Sequence, residues 1–401
     1  MSQGMIKKIV LDLLHSAGIS PNGPNPCDIQ IHNDEFYQRV FNHGALGLGE
    51  TYMEEWWDCK SLDQFFTQII QANLERKIRT NKWLWPKLLL LKLVNYQSKK
   101  RALEVGRLHY DLGNELFESM LDTRMNYTCG YWKNASDLDT AQINKLELSC
   151  QKLKLEPGMR VLDIGCGFGA FAKYAAENYG VSVVGITISK EQCNFAKQNC
   201  AGLPIEIRFQ DYRDLHEQFD RVISLGMFEH VGYKNYRTYM QKARECLKGN
   251  GLFLLHTIGS TLTQTTGDPW ISKYIFPNGM LPSMEQLSKA SEGLFIMENW
   301  VNFGAYYDHT LMAWHERFEK NWAQLQDRYD HRFYRMWRYY LLACAGTFRS
   351  RNTQLWQIVF SKHGIPGGYE EPLFTGIKKE AQKGNEPLML NYPDETRSIL
   401  A

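Results

Sequence analysis

The run Val161-Leu162-Asp163-Ile164-Gly165-Cys166-Gly167-Phe168-Gly169 restricts this chain to a small set of folds. An apolar, β-branched strand ends in an acid. A turn with glycine at alternate positions follows, and it opens into a helical segment over 170–179. Glycine lets the backbone turn tightly and approach a ligand, since no Cβ intervenes. The helix N-terminus beyond it offers unpaired N–H groups to a polar ligand group. Further strands are expected at 160–164, 181–186, 205–209, 221–224 and 251–256, with helices such as 190–199 and 236–247 between them. That alternation predicts an α/β fold of Rossmann-like, doubly wound type, with ligands at the C-terminal strand ends.

Two nucleotide ligands compete for the glycine turn. A dinucleotide fingerprint has the form G-x-G-x-x-G with an acid about twenty residues on. Here the glycines are Gly165, Gly167 and Gly169, and the second strand ends at Thr187 where that acid would stand. The Thr187 hydroxyl or the Gln192 amide could satisfy a ribose. Asp211 and Tyr212, after the third strand, could hold an adenine amine and ring. With Asp163 before the turn, this pattern fits S-adenosylmethionine better than NAD.

Composition narrows the class. Lys and Arg total 46 against 44 for Asp and Glu, too even for a broad nucleic-acid surface. Nor is there a D/N-P-P-Y/F motif of the kind that serves nucleic-acid amine methylation. Nine scattered cysteines show no metal or disulfide spacing, which fits a reducing cytoplasm. The N-terminal stretch 5–14 reads as an amphipathic helix, and no apolar run reaches membrane-spanning length.

The first hundred residues read as a separate, mainly helical unit. Within it, 44–49 is a glycine-rich turn, and Ser61 with Gln64 forms a capping-box pattern before an apolar helix. The segment 82–94 mixes Trp, Leu and Lys and runs on to Lys99, Lys100 and Arg101. It is either a helix resting in a bilayer interface, its cations on anionic headgroups, or a core helix with a solvated basic end. The organisation expected is a lipid-binding domain at 1–100, a linker at 101–126, a catalytic domain at 127–363, and a loosely held extension at 364–401.

The fourth and fifth strands end near polar groups suited to chemistry. Glu229 follows one and His256 ends the other, so an acid and an imidazole share the face of the glycine turn. Together they could hold a small anion or take a proton. An aromatic loop, Tyr127-Thr128-Cys129-Gly130-Tyr131-Trp132, lies upstream, and the runs 303–307 and 343–346 lie downstream. Cys344 sits among small residues, as a packed thiol or a reactive one.

On these stretches, together with 46–53, 97–101, 109–114, 184–189, 210–215, 226–232, 254–260, 268–270 and 274–279, the sequence closely resembles the bacterial cyclopropane-fatty-acyl-phospholipid synthases. The likeness runs from the first helix to about Ser361. It implies S-adenosylmethionine as methylene donor, a cis double bond of a phospholipid acyl chain as acceptor, and bound bicarbonate as base. It implies Cys129, Glu229, His256, Ile258 (through its backbone) and Tyr307 as the bicarbonate site, Tyr127 and Cys166 beside the donor, and Cys344 as an active-site cysteine. It also implies a homodimer working peripherally on the inner face of the cell membrane.

The alkene is itself the nucleophile in such a reaction, so no thiol nucleophile is needed. Phe168 departs from the family pattern, where Trp is usual. Two other functions stay open at this point: transfer of a plain methyl group, and a membrane-binding module in which the nucleotide is only structural.

Overall fold

The computed structural model describes residues 2–73 and 113–374. Four helices open the chain: α1 (Gln3–Ser16), α2 (Glu35–His43), α3 (Ala45–Met53) and α4 (Leu62–Gln71). Between them run the short strands β1 (Gln30–Ile31) and β2 (Trp57–Asp58), paired antiparallel. Helices α5 (Asn114–Met120) and α6 (Leu138–Lys152) lead into the main sheet.

That sheet contains β3 (Arg160–Ile164), β4 (Ser182–Thr187), β5 (Ile205–Phe209), β6 (Phe219–Leu225), β7 (Leu247–Ser260), β8 (Ile296–Asn302) and β9 (Thr353–Ser361). Its spatial order is β5-β4-β3-β6-β7-β9-β8. The first five are mutually parallel, and β9 runs antiparallel to both β7 and β8. Helices α7 (Ala170–Tyr179), α8 (Lys190–Asn199) and α9 (Tyr236–Cys246) are the crossovers. Then come α10 (Pro269–Tyr274), α11 (Met284–Ser291), α12 (Ala305–Asn321) and α13 (His331–Arg349). The chain winds one way from β3 to β4 and the other way from β3 to β6, so a crevice opens at the C-terminal ends of these strands. The glycine turn leaves β3 at that point.

All five expected strands form, and two are longer than the sequence suggests. β7 continues past His256 to Ser260 because β9 pairs with it, His256 facing Gln357 in register. Neither β8 nor β9 is anticipated by the sequence pattern. Residues 45–53, expected to include a glycine-rich turn, are helical instead. Gly47 and Gly49 serve close packing there. A Cβ on Gly49 would lie 2.3 Å from the Trp270 ring, and one on Gly47 would lie 2.5 Å from the Arg39 carbonyl. Ser61 does precede α4, yet its side chain makes no cap bond. Asp63 pairs instead with Arg349 of α13.

Ile6, Val10 and Leu14 face inward from α1, as their spacing requires. The N-terminal helices share one apolar core with the C-terminal helices: Phe36, Trp57 and Phe65 belong to the same cluster as Trp270, Trp337 and Tyr339. Arg335 of α13 is buried in this contact. Its guanidinium donates to the carbonyls of Tyr52 (2.6 Å) and Trp57 (2.9 Å) and lies over the Tyr52 ring. The expected loose extension is held through at least residue 374. Tyr369 donates to the Lys152 carbonyl at 2.8 Å, and the buried Phe374 meets Tyr131 edge-on. No helix among the described residues is long and apolar enough to cross a membrane, and no group of acids, cysteines and histidines among them could hold a metal.

Candidate active site

The cavity at the crevice is lined by every one of the nine residues expected to hold a nucleotide: Tyr127, Asp163, Gly165, Cys166, Gly167, Thr187, Gln192, Asp211 and Tyr212. They come from the aromatic loop, from the ends of β3, β4 and β5, and, for Gln192, from the first turn of α8. Gly165 and Gly167 take left-handed φ values of 83° and 55°, open to L side chains only with strain. A Cβ on Gly165 would also meet Met227 at 2.6 Å. The N–H groups of Gly165 and Cys166 both donate to the Ile186 carbonyl at 2.9 Å, which seats the turn on β4. Thr187 donates to Gln192 at 3.2 Å, joining the two groups expected at a ribose. Asp211 is less available than the sequence suggests. Its carboxylate accepts from the backbone N–H and the guanidinium of Arg213 at 2.7–2.9 Å. The Tyr212 ring packs against Tyr239, and the Tyr127 hydroxyl meets that of Tyr340 at 2.9 Å.

One lining residue escapes sequence reasoning. Lys145 is fully buried on α6, and its Nζ donates to Asn126 Oδ1 (2.7 Å) and Thr128 Oγ1 (2.9 Å). Burial pulls its ammonium down to about 8, against the attraction of Asp122, Cys129 and Asp163. Burial likewise pushes Asp163 up to about 7, and Lys145 opposes that rise. Gln142 and Asn144 of α6 also grip the aromatic loop, through the carbonyls of Thr128, Tyr131 and Lys133.

A second cluster adjoins this cavity where the aromatic loop and the segment after β6 form its wall. Glu229 is buried in a short 3₁₀ turn. Its Oε1 accepts the Ile258 N–H at 2.7 Å, while Oε2 has no hydrogen-bond partner. Burial raises this carboxyl to about 7, with the Ile258 N–H pulling the other way. His256, buried within β7, has neither ring nitrogen hydrogen-bonded, and burial drops it to about 3, so the imidazole is neutral. The buried Cys129 thiol lies 3.2 Å from the Gly130 carbonyl and 3.7 Å from Thr310 Oγ1, and burial pushes it well above its ordinary value. Tyr307 stacks on Phe348 at 4.4 Å, and its buried phenol feels Cys129, Glu229, Tyr127 and Cys344.

Thr310 is a second residue the sequence does not announce. It accepts from the Gly130 N–H (3.1 Å) and the Trp132 indole (2.9 Å), holding the Cys129 loop to α12. Cys344, on α13, is half-buried, and burial pushes its thiol to about 12. A reactive cysteine needs the opposite shift. Lys99, Lys100, Arg101 and the Trp-rich segment before them lie outside the described residues.

Buried polar groups are normally satisfied, and unpaired ones mark strain or the place of a bound group. Glu229 Oε2 and both nitrogens of His256 offer an acceptor, a donor and an acceptor inside an aromatic wall, next to a cavity built at a strand switch point. The family model described as mycolic acid cyclopropane synthetase matches residues 97–358. This chain belongs to that family. It is therefore an S-adenosylmethionine-dependent transferase, with the Rossmann-like methyltransferase fold. The cyclopropane-fatty-acyl-phospholipid synthase of Escherichia coli strain K12 is 55% identical over 361 residues, covering 90% of this chain and 94% of that one. The tuberculostearic acid methyltransferase UfaA1 of Mycobacterium tuberculosis is 30% identical over 393 residues, covering 89% and 88%. Among solved structures, the mycolic acid cyclopropane synthase CmaA1 complexed with SAH and CTAB is 32% identical with a TM-score of 0.61, covering 65% of this chain and 98% of that one.

Proposed function

We propose that the chain transfers a methylene group from S-adenosylmethionine to the cis double bond of an unsaturated phospholipid acyl chain, forming a cyclopropane, with bicarbonate as base. The observation that carries this reading is the unsatisfied cluster. A plain methyl transfer to an oxygen or nitrogen needs no buried anion site beside the donor. Ring closure does, because a proton must leave the methyl group after it has joined the alkene.

Glu229, His256, Cys129 and Tyr307 are the groups that would hold bicarbonate, and Ile258, whose N–H donates to Glu229 at 2.7 Å, acts on the site through that carboxyl. The donor supplies an activated methyl group, and bicarbonate, when bound, supplies the base. Ile258 fixes one oxygen of Glu229, which leaves the other aimed at a ligand. A neutral His256 can donate from one nitrogen and accept at the other. Tyr307 and Tyr127 present aromatic faces, and cation–π attraction to a developing carbocation contributes about 1–2 kcal/mol each when desolvated. Thr310 keeps the Cys129 loop in place.

Membrane phospholipid is the partner in this proposal. The Trp- and Leu-rich segment 82–94 and the basic run at Lys99, Lys100 and Arg101 support a peripheral position on an anionic surface. The test is incubation of purified protein with unsaturated phospholipid vesicles and donor, in buffer stripped of dissolved CO₂ and then with bicarbonate restored. Cyclopropane product that appears only on restoration is expected. Equal turnover in both buffers would remove bicarbonate, and an acyl chain that gains a methyl while never forming a ring would remove the synthase reading.

A further inference from the structure

The family match ends at residue 358, and the chain runs on past it after β9. That segment is fixed at successive points. The Gly364 N–H donates to Ser361 Oγ and the Ile365 N–H to Glu298 Oε1, both at 3.0 Å. The Tyr369 hydroxyl donates to the Lys152 carbonyl, and the Lys154 ammonium lies 5.0 Å over the Tyr369 ring. The Glu371 carboxylate lies 3.6 Å from the buried Lys152 ammonium. Phe374 then turns inward, 6% exposed, while Leu373 beside it is 93% exposed. From Lys152, at the end of α6, the segment has returned to the aromatic loop, where the Tyr131 N–H donates to the Ala141 carbonyl of α6 at 2.8 Å.

Phe374 begins a line of rings that ends at the Glu229 cluster. It meets Tyr131 edge-on at 5.1 Å. Tyr131 in turn meets Phe303 at 5.3 Å and Tyr306 at 5.4 Å, both edge-on. Phe303 stands 5.6 Å from the His256 ring. Neither nitrogen of that imidazole has a hydrogen-bond partner among the described residues, so packing alone orients it. Cys129 lies two residues before Tyr131 on the same loop. Phe374, Tyr131 and Phe303 all stand outside the lining of the donor cavity.

We propose that Phe374 is a positioning residue for the transfer reaction: it holds Tyr131 and Phe303 in place, and through them the Cys129 loop and the His256 ring. The segment beyond the family match thereby serves as a clamp behind the reacting groups, whose side chains need packing support to keep a productive geometry. The role rests on reading the Glu229 and His256 cluster as the reacting site.

Steady-state kinetics of the full chain on unsaturated phospholipid vesicles, followed as release of S-adenosylhomocysteine, separates this role from a purely structural one. Phe374→Ala should lower kcat at least about tenfold, since a misplacement of about 1 Å can cost about 100-fold. Its donor KM should stay within about twofold, because the clamp lies outside the donor cavity. Phe374→Leu, which refills most of the space, should recover kcat to within about threefold of wild type. Leu373→Ala, at the exposed neighbour, should change neither constant by more than about twofold. Should Phe374→Ala not fold, Glu371→Gln, which loosens the same segment at Lys152, should show the same split, with kcat lower by about threefold. An unchanged kcat in the folded variant, a parallel change in donor KM, or an equal loss in Leu373→Ala would overturn the proposal. Wild-type turnover that forms no ring would instead remove the synthase reading, and comparison of the variants by donor consumption would still decide the role of Phe374.

Discussion

Replacing Glu229 by Gln should make the ligand-free protein more stable and almost inactive. The carboxyl rises from 4.5 to about 7 because burial disfavours its charge. Above pH 7 that difference is worth about 3 kcal/mol against the folded state, at 1.36 kcal/mol per pKa unit. A carboxyl whose pKa is raised on folding stabilises below its unfolded value, near 4.5, and that contribution is lost as pH rises through 7. The amide has no such dependence, and its oxygen can still accept the Ile258 N–H. With an unfolding entropy of about 2.1 cal/mol/K per residue, 401 residues convert 3 kcal/mol into a Tm gain of about 4 °C at pH 8. At pH 5 the gain should shrink to about 1 °C, since Glu229 is then neutral in the folded protein. Calorimetry of both proteins at the two pH values measures this directly. Activity of the variant should fall at least about 100-fold, the scale of losing the base that Glu229 would hold in place. A Tm gain independent of pH, or a variant less stable at pH 8, would refute the claim that Glu229 carries a buried charge its hydrogen bonds only partly offset.

Tyr307→Phe should cut kcat at least about tenfold while leaving donor affinity nearly unchanged, since the ring keeps its stack on Phe348; parallel losses would mean that the hydroxyl only shapes the pocket. Cys344→Ala should keep turnover within about threefold, because burial holds that thiol protonated, and a loss of several hundredfold would restore it as a catalytic group. Gly49→Ala drives a methyl into the buried Trp270 ring and should cost about 1–3 kcal/mol, seen as a Tm lower by about 1–4 °C; an unchanged Tm would mean that α3 and α10 are loosely joined. Changing Lys99, Lys100 and Arg101 to Gln should weaken sedimentation with anionic vesicles at low salt, and wild-type binding that is equal at low and high salt would argue against an electrostatic role.

The local parts of this protein are legible in its sequence. The Gly165–Gly169 turn announces itself because its backbone conformation admits few other residues. The ends of β3, β4 and β5 then carry Asp163, Thr187 and Asp211 to one cavity by topology alone. What stays hidden is made by pairing across long separations. β9 lies more than a hundred residues after β6, and nothing near 353–361 signals that it will insert beside β7. A glycine-rich 44–49 reads as a turn until Trp270 approaches from another part of the chain. Lys145 is hidden for a related reason: a lysine within a helix reads as a solvated face, and only its contacts with Asn126 and Thr128 show that it is core. Asp211 lines the cavity, but Arg213, two residues on, donates to both its carboxylate oxygens, and that pairing is made by side-chain geometry the sequence does not display.

Ring formation beside the Glu229 cluster is tested most directly with donor whose transferable methyl carries deuterium in place of hydrogen. Phospholipid recovered after turnover should hold a saturated ring and should have lost one deuterium of that methyl, because closure requires a base to remove it. An acyl chain that keeps all the label, as a branch or on an intact alkene, would show that the Glu229, His256 and Tyr307 site does not serve ring closure.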